Sequence, residues 1–423
     1  MEKLAILGGK PVLNKPLPKT NNIDDKEKNA VMEVLDSGQL SDFLGRAGNK
    51  FLGGKYVLEL EKSMCEKFKV EYSVAFNSAT TALEAAVCAL GIGPGDEVIV
   101  SPYTMAASAT AVLMNMAIPI FADIDSSNYC LSSDSVKKKI TPNTKALMVT
   151  NLFGGSADYR ELLKIAKKHN LKIIEDNAQA AGGFYHGKSL GTLADIGIFS
   201  FNIHKTMQAG EGGVLVTNDK NYAFRAQLRR NHGESVLDDL QRYDIDILGT
   251  NSRMTEVHAA IATEQLKKLD FLNEKRIQLA DYLTEKLEKI KGISPVNIIP
   301  DTKHVYYLYP MKFSKEKFGI SRDLFVKALS KEGFELNQGY VKPLYLIPLF
   351  QNKKIFPNSK CPYDYNHYDL IPDYSEGSCP TVEKLWKSEL LLTSICRYPI
   401  TKKHIDMFIF AIEKIYAQRD ELK

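Results

Sequence analysis

The chain has 423 residues, 44% hydrophobic and 25% charged, with a formal net charge of +4. That length buries a large core and predicts two domains of ordinary globular composition. A small charge spread along the chain excludes a basic nucleic-acid-binding run and an acidic tail.

Cys65, Cys88, Cys130, Cys361, Cys379 and Cys396 are scattered, none at CxxC spacing. Neither a metal site nor a disulfide framework is signalled, and a reducing, cytoplasmic setting is expected. Glu2 and Lys3 precede a very short apolar run, so no signal peptide is expected. Residues 98–122 carry no charge over a bilayer-spanning length. Pro102, Asn115, Pro119 and several hydroxyls interrupt them, and they read as strand, loop, helix and strand in a core, not as a membrane span.

Residues 1–30 read as an N-terminal arm, with Gly8, Gly9 and three prolines. Asp24 is placed to cap a helix over 25–37. A glycine-rich loop, 38–55, follows; such loops either serve function or merely connect. From residue 72 strands and helices alternate. Strands are expected at 72–76, 98–100, 119–121, 146–150, 172–175, 196–201 and 214–217. Helices are expected at 80–90 and 106–115, and one opens at Asp158 and Glu161 as a capping pair. This alternation predicts an α/β domain with a mostly parallel sheet over 31–265. A long helix over 256–287 carries the chain out of it. A strand at 305–313 and helices at 322–332 and 405–415, the last capped by Thr401, predict a smaller α+β domain over 266–423. Residues 351–380, with four prolines and no clear period, are either a substrate-facing loop or a disordered insertion.

Three groups could do chemistry. Asn77-Ser-Ala-Thr-Thr-Ala82 joins a strand to a helix N-terminus, where hydroxyls and free amides suit a phosphate. Ordinary capping by Ser78 or Thr80 explains it equally well. Asp176 follows a strand, where open α/β sheets hold their ligands; it either holds a cationic ring nitrogen or caps a helix. Lys205 lies in a turn between two strand-like runs, followed by Gly210, Gly212 and Gly213. It is a desolvated nucleophile or a plain surface lysine. Gly91-Ile-Gly-Pro-Gly95 has the wrong spacing for a dinucleotide loop and follows a helix. Cup, carboxylate and lysine together suit pyridoxal 5'-phosphate, gripping its phosphate, its pyridinium nitrogen and its aldehyde carbon respectively.

Across most of its length the chain resembles the DegT/DnrJ/EryC1/StrS family of sugar aminotransferases. The resemblance rests on Asn77-Ser-Ala-Thr-Thr-Ala-Leu83, Gly91-Ile-Gly-Pro-Gly-Asp-Glu-Val98, Ile174-Glu-Asp-Asn-Ala-Gln179, Ser200-Phe-Asn-Ile-His-Lys205, Gly210-Glu-Gly-Gly213 and Gly249-Thr-Asn-Ser-Arg-Met254. It implies the aspartate-aminotransferase (type I) fold and Lys205 as the catalytic lysine that bonds the cofactor. It further implies Asp176 on the ring nitrogen, Gln179 on the ring hydroxyl, and Ala79, Thr80 and Ser200 on the phosphate. Asn251 would reach the neighbouring subunit's phosphate, in a homodimer with shared sites.

Met105 stands where the family usually stacks an aromatic ring on the cofactor, although a thioether also packs on a ring face. Asn151, Asn202 and Ser252 also depart from frequent choices. The implied reaction moves an amino group from glutamate or glutamine to a keto-sugar, expected to be nucleotide-linked. A cyclitol (inosose) aminotransferase uses the same machinery, and residues 351–380 and Tyr340-Val-Lys-Pro-Leu-Tyr345 resemble that branch. A sugar dehydratase typically replaces the lysine with histidine, and a non-catalytic regulatory protein has no need of Lys205, Asp176 and Gln179 together.

Overall fold

A computed structural model describes residues 2–45, 48–233, 247–365 and 371–423. Parts of two expected segments, the 38–55 loop at 46–47 and the 351–380 stretch at 366–370, lie outside the described residues.

Seven strands form the central sheet: β1 (Tyr72–Phe76), β2 (Glu97–Val100), β3 (Ile118–Phe121), β4 (Thr144–Thr150), β5 (Lys172–Asp176), β6 (Ile196–Ser200) and β7 (Gly213–Thr217). Their spatial order is β1-β7-β6-β5-β4-β2-β3. Neighbours from β6 through β5, β4 and β2 to β3 run parallel, while β7 runs antiparallel to both β6 and β1. Helices cover both faces, so the strands read as continuous apolar runs: Val98, Ile99 and Val100 are wholly buried.

The register decides where a ligand can sit. Thr150 of β4 pairs with Asp176 of β5, and Ser200 of β6 pairs with Gly213 of β7. Gly213 also pairs with Phe76, the last residue of β1. The carboxyl ends of β1, β4, β5 and β6 therefore meet at one edge, with the start of β7 among them. The first helix after β1, Ala79–Ala89, begins at that edge behind an N-cap at Ser78.

A second, antiparallel sheet has the order Ile293–Pro295, Tyr309–Phe313, Leu390–Thr393, Asn337–Gln338. The helices Arg322–Lys331 and Lys402–Ala417 pack on it around Phe313, Phe318, Phe325 and Phe408. The helix Glu256–Leu287 joins the two regions. Its Ala259, Ala262, Leu266 and Leu269 pack beside β6 and β7, and its Leu279, Leu283 and Leu287 enter the second core.

Several expectations meet corrections. A helix over Lys55–Phe68 follows the glycine-rich loop. Its buried Val57, Leu60, Met64 and Phe68 mark a helical stripe that the preceding glycines obscure. The Glu256 carboxylate accepts the N–H groups of Gly54 (3.2 Å) and Tyr56 (2.7 Å) and anchors this start. Asp158 stands at the N-cap of Tyr159–His169 but makes no side-chain capping bond. Its carboxylate accepts the Tyr185 hydroxyl at 2.8 Å instead, and Glu161 pairs with Lys164. The strand expected over 305–313 is confined to Tyr309–Phe313, because residues 305–308 turn to follow Phe153 and Gly154: Val305 N–H donates to Gly154 C=O and Leu308 N–H to Phe153 C=O.

The described part of 351–380 packs on the large core. Tyr374 lies edge-on to Phe121 and donates its hydroxyl to Pro119 C=O at 2.5 Å. Among the described residues no helix is long and apolar enough to cross a membrane.

Candidate active site

The strand-end edge opens into a cavity of about 390 Å3. Seven of the eight sequence-predicted residues line it: Ala79, Thr80, Met105, Asp176, Gln179, Ser200 and Lys205. Asn251 is exposed outside it, bridged to Asn231.

Strand alternation divides the adjacent carboxylates Glu175 and Asp176. Glu175 is consumed by structure, accepting the Leu193 N–H at 3.0 Å, the Gly191 N–H at 2.5 Å and Asn151 Nδ2 at 2.9 Å. Asn151 is thereby a buried scaffold residue; it also bonds Asn177 and accepts the Tyr159 hydroxyl. Asp176 faces the cavity while 4% exposed. It accepts the Ser108 hydroxyl at 2.7 Å and the Ala178 N–H at 3.2 Å. No helix follows it, so the helix-cap reading is excluded. Burial pushes its pKa up, against the pull of Ser108, Ala178 and Lys205. Among the described residues it forms no ion pair within 4.0 Å.

Lys205 follows β6 in a turn closed by its own N–H to Asn202 C=O at 2.9 Å. Phe201 N–H bonds Gly212 C=O, and Ile203 N–H bonds Gly210 C=O. Gly210 and Gly212 have φ of 84° and 143°, a region that strains other residues. This loop carries the amine over the Tyr307 ring, 4.7 Å from its centroid. Burial lowers the Lys205 pKa to about 8; Asp176 opposes the fall and Arg397 adds to it.

At the other end of the cavity the helix Ala79–Ala89 begins. Ser78 Oγ accepts the Thr81 N–H at 3.2 Å, and the N–H groups of Ala79 and Thr80 have no acceptor within the helix. Gly213 packs against this start so tightly that a Cβ there would lie 2.4 Å from Ala79 N. Gln179 is oriented by Phe153 N–H to its Oε1 (2.9 Å) and by its own Nε2 to Tyr340 Oη (3.0 Å). Met105 is 62% exposed at the rim. Of the other departures, Asn202 lines the cavity and bonds Glu211, whereas Ser252 bonds Thr250 away from it.

Sequence reasoning missed Ser108, Tyr307 and Tyr340 as site groups. A tyrosine inside an apolar run reads as core, and nothing local marks Tyr307 as the ring under the lysine. Tyr340 stands within a stretch already noted, but its bond to Gln179 spans 161 positions.

The model of the DegT/DnrJ/EryC1/StrS aminotransferase family matches residues 21–369. The chain belongs to this family. This aminotransferase is 34% identical over 327 residues to a GDP-perosamine synthase of Caulobacter vibrioides, covering 77% of the chain and 84% of that relative. It is 33% identical to a putative L-glutamine:3-amino-2,3-dideoxy-scyllo-inosose aminotransferase of Streptoalloteichus tenebrarius, covering 100% of the chain and 99% of that relative. Among solved structures, DesV of S. venezuelae superimposes with a TM-score of 0.78 at 30% identity, covering 93% of this chain and 94% of that one. The expected fold is thus present: an α/β architecture of the type I class with a mostly parallel central sheet.

Proposed function

We propose that this aminotransferase uses pyridoxal 5'-phosphate to move an amino group from glutamate or glutamine to a keto-sugar, in a homodimer with shared sites. The observation that carries the reading is one cavity holding a buried carboxylate and a desolvated amine, neither with an ionic partner among the described residues. A buried carboxylate needs a cation or a close set of donors, and a pyridinium N–H supplies both. The free amides of Ala79 and Thr80 and the Ser200 hydroxyl suit a phosphate at the opposite end.

When bound, the cofactor supplies the carbonyl that accepts the amino group and the ring that takes up the electron pair left on the donor's α-carbon. Asp176 would hold the proton on the ring nitrogen, and Lys205 Nζ would hold the cofactor at its aldehyde carbon. The Lys205 amine is also the group placed to take the donor's α-proton and give it back; a pKa of about 8 suits both halves of that transfer. Gln179 Nε2 has a second N–H for the ring hydroxyl, and Tyr340 fixes its direction. Met105, at the rim, would pack on a ring face, and Asn251, outside this cavity, would reach the neighbouring subunit's phosphate.

A cyclitol acceptor is the second reading. The inosose relative matches the chain from end to end, including 351–380, whereas the GDP-perosamine synthase leaves nearly a quarter of it uncovered. A single-turnover screen tests both. The amino-loaded protein is mixed with nucleotide-linked keto-sugars and with inososes, and return of the aldehyde-form absorbance identifies the acceptor. Failure of every acceptor, with the cofactor bound, would overturn the proposed reaction.

A further inference from the structure

The N-terminal arm ends against the turn that carries Lys205. At its start the arm is held on the second region, where Glu332 accepts the N–H groups of Ala5 and Val12. At its end Asn22 reaches the large region. Asn22 Nδ2 donates to Thr206 C=O at 3.1 Å and to Gln265 Oε1 at 2.8 Å, and Asn22 Oδ1 accepts Gln208 Nε2 at 3.3 Å. Thr206 directly follows the lysine.

Gln265 comes from the helix Glu256–Leu287 and is wholly buried. Its amide is fully used. Nε2 donates to Glu27 Oε1 at 2.6 Å and to Asn22 C=O at 3.0 Å. Oε1 accepts Asn22 Nδ2 and, at 3.3 Å, the Gln208 N–H. A carboxylate and a peptide carbonyl only accept, so Glu27 and Thr206 C=O fix which way both amides point. Glu27, 1% exposed, is held in turn by Lys268 Nζ at 2.7 Å and by the Asp24 N–H at 2.9 Å. The contacts thus run from a buried ion pair of the scaffold to the peptide beside Lys205.

That peptide needs a tie from outside. Gly210 and Gly212 leave the loop free to bend. The turn's own bonds use the N–H groups of Ile203 and Lys205. Beyond the lysine, residues 206–208 are gripped by side chains from other elements: Asn22, Gln265 and, through Thr206 Oγ1 at 3.0 Å, Arg276.

We propose that Asn22 and Gln265 are positioning residues for Lys205, the end of the arm clamping the peptide after the lysine so that its amine stays over the Tyr307 ring. The clamp gives the arm a part in the chemistry without touching cofactor or substrate. Released from it, the amine would swing toward water and its position would spread, at a cost in rate. The inference rests on the reading of Lys205 as the cofactor lysine and deepens it.

The test uses Asn22→Ala, Asn22→Asp and Gln265→Met in the full chain, with Arg230→Met as a destabilised comparator away from the site. Trace acylation of cofactor-free protein across a pH series, read by peptide mass mapping, gives the titration midpoint of the Lys205 amine. The groups facing that amine are Asp176, Arg397, Arg276, Tyr307, Tyr340 and His204. All are unaltered in the variants, so a moved midpoint reports where the amine sits. Desolvation holds the amine near 8, against an ordinary 10.5. Asn22→Ala is therefore expected to raise the midpoint, by about 0.5–1 pH unit. In the cofactor-loaded enzyme kcat should fall about 5- to 10-fold with the donor KM little changed. Asn22→Asp, which sets a carboxylate against two acceptors, should do at least as much. Arg230→Met should melt lower yet keep the midpoint of the unsubstituted protein.

An unmoved midpoint in all three variants would overturn the proposal. So would an equal shift in Arg230→Met, which would make the effect one of general loosening. A raised donor KM at unchanged kcat would make Asn22 a substrate contact and overturn it too. If pyridoxal 5'-phosphate and borohydride leave no pyridoxyl group on Lys205 of the unsubstituted protein, the parent reading fails. The acylation midpoint tests the clamp in either case.

Discussion

Two buried charged regions of this molecule are built on opposite principles. In the scaffold the buried charges are met by an opposite charge, as at Arg230 and Lys414, or by a set of N–H donors, as at Glu175. Arg230, wholly buried, pairs with Glu61 at 2.7 Å and bonds Ala75 C=O. Lys414 pairs with Glu332 at 3.0 Å, and Glu332 also accepts the N–H groups of Ala5 and Val12, tying down the arm. At the strand ends, Asp176, buried, and Lys205, half-buried, have no ion-pair partner among the described residues. Burying an unpaired charge is costly, so the pattern marks where the chain reserves charge for a ligand. A buried ion pair holds structure together; a buried charge left open holds chemistry.

The contrast breaks most sharply at Lys205. Lys205→Ala is expected to lower amino transfer at least about a thousand-fold, the scale of a lost general base that is also the covalent anchor. Because the amine removed is desolvated and unpaired, its melting temperature should not fall. Assay and thermal melt on the same sample check both.

Arg230→Met is the mirror experiment. It strands Glu61, whose pKa burial already raises. Urea unfolding should show a loss of about 3–5 kcal/mol, with the rate per folded molecule unchanged.

A pH series sharpens the comparison. The folded Lys205 pKa, about 8, lies below its ordinary 10.5. Between those values the unfolded chain binds more protons, so stability of the cofactor-free protein rises with pH across that window. Below pH 8 both states are protonated and the desolvation cost is fully present; above 10.5 it is gone. Its removal is worth on the order of 2–3 kcal/mol. Denaturant midpoints at pH 7.5 and 10.5 measure it, and Lys205→Met should flatten that part of the profile. The smallest effect is at Tyr340→Phe. Losing the bond that orients Gln179 should weaken cofactor binding about 2- to 10-fold, read by fluorescence titration.

Much of this was legible in the sequence because it is local. Strand and helix periodicity located β1 through β7, and the strand–turn–helix at Asn77 and the glycines after Lys205 are short motifs with local geometry. The helix Lys55–Phe68 was missed because glycines at its start conceal a stripe spread over fourteen residues. Asp158 looked like a cap because its competitor, the Tyr185 hydroxyl, arrives from 27 positions away. Tyr307 comes under Lys205 only by the packing of the second region against the first.

The most direct measurement is borohydride reduction of the purified protein followed by peptide mass mapping. Reduction should fix a pyridoxyl group on the peptide carrying Lys205 and on no other lysine, and the Asp176→Ala protein should hold markedly less of it. A pyridoxyl group on a different lysine, or none in protein that transfers amino groups, would contradict the assignment of this cavity as the catalytic centre.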